Sequence, residues 1–162
     1  MATISDRPKA EASNSNDDLK AVLTAFETSL LTPTVSGELA PWLEEVQKTW
    51  DDASTQIHYH IKHLHPRQYD EISKQDPELL PRIEQLQAED EAIEQQREQL
   101  SQSIGRVGQH IPKMEPDEEK AQKHTKAIID AGTAFLIQVR KQEVAVQTWY
   151  VEAFNRDGGA VD

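Results

Sequence analysis

With 162 residues the chain can bury one sizeable core and has little room for a second. Lys plus Arg number 17 against 29 Asp plus Glu, a formal charge of -12; such a surface repels phosphate backbones and anionic lipid, which argues against nucleic-acid and membrane-surface partners. The absence of cysteine excludes a disulfide frame, a thiolate metal site and a cysteine nucleophile.

Residues 1–16, MATISDRPKAEASNSN, are polar and aperiodic and are expected to form a disordered tail. DDLKAVLTAFETSLL then places Leu19, Leu23, Phe26 and Leu30 at helical spacing behind acidic residues suited to a helix start, predicting a first helix over 17–31. TPTVSG breaks it. A second helix is predicted over 38–74, with Pro41 tolerated in its first turn and a kink at Pro66. Its stripe runs Leu39, Leu43, Val46, Trp50, Ala53, Ile57, His60, Leu64, in alternating steps of four and three. Asp76 can cap a third helix over 77–111, with Pro77 at its first position. Ile83, Leu86, Asp90, Ile93, Arg97, Leu100, Ile104, Val107 and Ile111 form its stripe. PKMEP ends it, and the acidic PDEEK suits the start of a fourth helix over 117–155. There Ile128, Gly132, Phe135, Val139, Gln142, Val146, Trp149 and Ala153 are in register, NRDGG ends the pattern, and 156–162 are expected to form a C-terminal tail. Three long stripes joined by short connections predict an all-α fold, an antiparallel up-down four-helix bundle with no strand and no repeat. No apolar run approaches the roughly 18 residues a membrane span needs, and the first twenty residues hold no leader-like core, so the expected location is cytoplasmic.

Four of the six histidines lie in QIHYHIKHLHP, residues 56–66. At about 100° per residue only His60 falls on the stripe; His58 and His65 point largely away, and His63 sits at the edge. The four are therefore not expected to form one cluster. The other polar members of the stripes are Asp90, Arg97 and Gln142. His60 precedes a turn centred near residue 75 by as many residues as Asp90 follows it. Asp90 and Gln142 flank the connection near 115–116 in the same way. His60, Asp90 and Gln142 thus arrive at one level, with Arg97 two turns along and able to lean back. An unpaired buried carboxylate costs several kcal/mol, so these groups should contact one another or something bound. Two readings follow: a self-satisfied polar layer of His60, Asp90, Gln142 and Arg97 that fixes helix register, or a metal site with His60 and Asp90 as ligands. One imidazole and one carboxylate are few, since a dinuclear carboxylate-bridged site in a bundle takes about six ligands from four helices.

Gly-rich phosphate loops, nucleophile elbows and HExxH motifs are absent. Ser101 and Ser103 near His110 do not make a triad. Trp50 and Trp149 lie on core stripes, so with Trp42 they read as packing rather than a flavin or porphyrin pocket. Residues 17–31, the shortest element, can serve as an amphipathic partner helix, and His124 is expected to be solvated.

The stretch LHPRQYDEISKQDPELLPRIEQLQAEDEAI resembles the end of the second helix, the turn and the start of the third in bacterial hemerythrin-like (HHE cation-binding) domains. EVAVQTWYVEAFNRDGGAVD resembles the close of such domains, and the likeness of layout covers roughly residues 17–162. It implies a four-helix bundle. It also implies a diiron site built from a His on the first helix, His-x-x-x-Glu on the second, His on the third and His-x-x-x-Glu or Asp on the fourth. In this chain the first helix has no histidine. The second-helix pair falls on Gln56 and His60, the third-helix AEH reads AED and places Asp90 at the histidine, and the fourth-helix pair falls on Gln142 and Val146, with Glu143 the nearest acid.

Those substitutions should abolish ordinary diiron binding. The expected function is a non-enzymatic binding or sensory module on a hemerythrin-like bundle, without a cofactor. The alternative is a metalloprotein with a remodelled site using His60 and Asp90, with Glu143 or Gln56, that holds iron or another divalent cation for oxygen or metal sensing. A protein partner or self-association is compatible with either.

Overall fold

The computed structural model of the protein describes the backbone of residues 7–35, 37–114 and 117–159 and the side chains of 15–35, 37–110 and 117–156. Helix accounts for nearly all the described residues, and none is in a strand. The elements are α1 (Arg7–Leu31), α2 (Leu39–Tyr59), a π-helical segment (His60–Leu64), α3 (His65–Gln75), a 3-10 turn (Pro77–Leu79), α4 (Leu80–Met114) and α5 (Glu118–Gly159). Because α2, the π segment and α3 follow without a break, they make one long rod, and the chain folds as four helical rods. The connections carry the residues their geometry needs. Gly37 supplies the positive φ (85°) between α1 and α2. Asp76, in an extended conformation, accepts the Glu78 N–H at 3.2 Å. Asp117 accepts the Lys120 N–H at 3.1 Å and so caps α5.

The apolar stripes become two hydrophobic clusters. The larger joins Leu19, Phe26, Leu43, Trp50, Ile57, Ile61, Ile93, Ile104, Phe135 and Val139 with their neighbours; the smaller holds Tyr69, Ile72, Leu79, Ile83, Leu86, Val146 and Ala153. Each such side chain contributes about 1.5–3 kcal/mol on full burial. The changeover falls at one level in three rods: between Ile61 and Tyr69, between Leu86 and Ile93, and between Val139 and Val146. Buried His65, Asp90 and Gln142 occupy those gaps. A polar layer divides the core.

Two expected tails are partly helical. α1 begins at Arg7, well before Asp17, so residues 7–16 are not a disordered tail; residues 1–6 lie outside the described part. KAEA at 9–12 consists of strong helix formers, and the Ser15 carbonyl is engaged by a core histidine. α5 runs to Gly159 rather than fading near 155, helped by an Arg156–Glu152 contact at 2.9 Å one turn apart; residues 160–162, and the side chain of Ile111 expected on the α4 stripe, are outside the described part. Among the described residues no helix is long and apolar enough to cross a membrane.

Candidate functional site

The local cause of the site is Pro66. In a continuous α-helix the N–H of residue 66 would bond to the Lys62 carbonyl; proline has no such N–H, and its ring crowds that carbonyl. The helix answers by widening over His60–Leu64, and the His65 N–H bonds to the His60 carbonyl, five residues back. The extra residue in that turn changes the phase. His65, which a uniform 100° step points away from the core, is instead 1% exposed, as is His60 on the same rod. π turns of this kind recur at functional sites.

These two imidazoles, two carboxylates and their partners form a continuous network. His65 Nδ1 lies 3.0 and 2.9 Å from the two oxygens of Asp90, and its Nε2 lies 2.7 Å from Glu143 Oε1. Asp90 also accepts from the Tyr69 hydroxyl at 2.7 Å and from Gln142 Nε2 at 2.8 Å. Gln142 donates in addition to the Leu86 carbonyl at 2.9 Å, which ties α5 to the α4 backbone. His60 Nδ1 approaches Glu143 Oε2 at 3.5 Å. Its Nε2 donates to the Ser15 carbonyl on α1 at 3.1 Å. The layer therefore touches all four rods.

Charge follows from this geometry. Burial alone would lower the His65 pKa, but the hydrogen bonds and charges of Asp90 and Glu143 outweigh it and raise it to about 9. Burial would likewise raise Glu143, yet the two imidazoles hold it down at about 2. Tyr69 is pushed up by burial and by the Asp90 charge, so its hydroxyl stays a donor. At neutral pH the layer contains an imidazolium between two carboxylate groups.

The expected residues are distributed unevenly. Asp90 and Gln142 meet, but His60 does not pair with Asp90; His65 does. Arg97 does not join the layer, because Glu94 is closer on its own helix: the guanidinium bonds to Glu94 at 3.0 and 3.1 Å and to Ser54 at 3.0 Å. His58 also pairs with Glu94, at 2.8 Å, and His63 is exposed. Val146 is buried in the smaller cluster. Among the described residues His60, His65 and Glu143 each bring one possible metal-ligand atom to within 4.8 Å of the others, a set different from the expected pair of His60 and Asp90. A groove of about 630 Å³ between α1 and α5, walled by Leu19, Leu23 and Val144, reaches Glu143 from outside. The chain matches no protein-family model, no curated protein and no solved structure.

Proposed function

We propose that this protein is a non-catalytic binding or sensory module built on an up-down, hemerythrin-like four-helix bundle, in which a hydrogen-bonded histidine–carboxylate layer stands where that family holds two irons. The observation that carries this reading is the saturation of Asp90. Its carboxylate receives His65, Tyr69 and Gln142, which leaves it no capacity to bridge metals. Gln142 and Val146 occupy the fourth-helix ligand positions of the resemblance, and α1 offers no histidine. The donor set does not fit a diiron centre, which takes about six ligands. Nor does the layer present a nucleophile beside a free base, since each imidazole is already engaged.

Iron analysis and an absorption spectrum of the purified protein test the reading. It expects no stoichiometric pair of irons and no near-ultraviolet charge-transfer band. Two irons per chain with such a band would overturn it.

A further inference from the structure

The geometry points to a mononuclear site for a divalent first-row transition-metal ion, held by His60 Nδ1, His65 Nε2 and the Glu143 carboxylate. The inference rests on the module reading above and names the ligand of that module.

Three independent features support it. The first is tautomer control. A carbonyl oxygen can only accept, so Ser15 requires a proton on His60 Nε2, and Nδ1, facing Glu143, is the ring nitrogen that can take an ion in place of a proton. The 3.5 Å separation there is long for a hydrogen bond. Asp90 does the same for His65, holding Nδ1 as the donor and turning Nε2 toward Glu143. A ligating histidine typically donates its other ring N–H to a carboxylate or backbone carbonyl; both histidines here do. The second feature is reach. The three donors lie within 4.8 Å of one another, and ligands about 2.0–2.2 Å from a tetrahedral ion are about 3.3–3.6 Å apart, so sub-ångström to ångström side-chain shifts complete the shell. The ion takes the place of the proton between His65 Nε2 and Glu143, now 2.7 Å apart. The third is access, since Glu143 lines the α1–α5 groove and so lies on an entry path. Two imidazoles and one carboxylate select zinc, cobalt or iron(II) over magnesium or calcium, which prefer oxygen throughout. Asp90 is a positioning residue: its three donors keep it out of the coordination shell.

Cobalt(II) is the probe. Titrated into the metal-stripped full chain, it should bind once per chain and develop visible d–d bands. Glu143→Gln and His65→Gln should each weaken binding by more than about tenfold and remove the bands, and Asp90→Asn should weaken it by about 10–100-fold. Variants His58→Ala and His63→Ala should bind as the parent does. Circular dichroism checks folding; should His65→Gln fail to fold, Glu143→Gln and His60→Gln carry the test. Binding that survives in Glu143→Gln, or is lost in His58→Ala, would assign the ion to surface imidazoles and overturn the site. No cobalt uptake by a folded parent would overturn the site and leave the module reading standing. Two irons in the protein as isolated would instead overturn the module reading.

Discussion

Asp90 is the acceptor for three donors, so its loss should be felt well beyond one hydrogen bond. Asp90→Leu leaves the buried His65 imidazolium with Glu143 as its remaining counter-charge and strips Tyr69 and Gln142 of an acceptor. Breaking a buried charged pair from one side costs about 3–5 kcal/mol, and urea denaturation should show a loss of that size. His65→Leu combined with Asp90→Leu should cost less than the sum of the singles by about 1–3 kcal/mol, whereas His60→Leu with Asp90→Leu should show a markedly smaller coupling, because those two side chains do not pair. Equal coupling in both cycles would show that the layer is not arranged as described. The pH profile follows from the same residues. His65 is raised from 6.5 to about 9, so its contribution is complete below about pH 6.5 and disappears as pH rises through about 9. Glu143 is lowered from 4.5 to about 2, so its contribution is complete above about pH 4.5 and disappears as pH falls through about 2. Urea midpoints should therefore plateau between about pH 4.5 and 6.5 and fall on the alkaline side before Tyr69 can ionise. Midpoints that stay flat through pH 9 would mean His65 carries no extra proton.

At the scale of elements, the widened turn decides which histidine enters the core, and two effects favour it. Pro66 disfavours regular helix by about 3 kcal/mol, through the lost bond and the ring clash; the layer independently opposes any return to regular helix with the roughly 3–5 kcal/mol needed to unpair Asp90. The layer alone should suffice. Pro66→Ala is expected to keep the π turn, with the His65 pKa, followed by NMR, still near 9; a drop toward 6.5 would show that the proline alone holds the turn. The start of α1 makes a second case. Deleting residues 1–16 removes the Ser15 carbonyl from His60 and should lower stability by about 1–3 kcal/mol, the cost of an orphaned buried donor. A deletion ending at residue 12 keeps the acceptor and should cost less in thermal denaturation. Both elements show where sequence periodicity stops being informative. The stripes of α2, α4 and α5 were legible because each apolar step repeats, and Asp90 and Gln142 stood out as polar interruptions. His65 and Tyr69 were not legible, since a uniform 100° step cannot represent a turn with an extra residue. The one available signal was Pro66 directly after a histidine, and it reads equally well as a kink. Residues 7–16 were missed because their helix carries no apolar stripe to mark it.

For the whole molecule, an all-helical chain with its polar layer between two apolar clusters was within reach of the sequence, because the level of a residue in a bundle follows from its distance to the turns. Which side chains meet at that level was not, because it depends on rotation about each rod to within a fraction of a turn; Arg97, drawn to Glu94 rather than Asp90, is the example. Net charge, by contrast, is set by composition alone. At -12 the chain repels itself in the compact state. Its exposed ion pairs, such as Lys74–Asp70 and Lys126–Asp130 at 2.7 Å each, contribute little and weaken in salt. The buried layer is screened far less. Adding salt therefore relieves more repulsion than it removes attraction. Between about 0.05 and 0.5 M sodium chloride, a range over which the screening length shrinks to a few ångströms, the melting temperature at neutral pH should rise. A fall over that range would mean that attractive surface pairs outweigh the net repulsion.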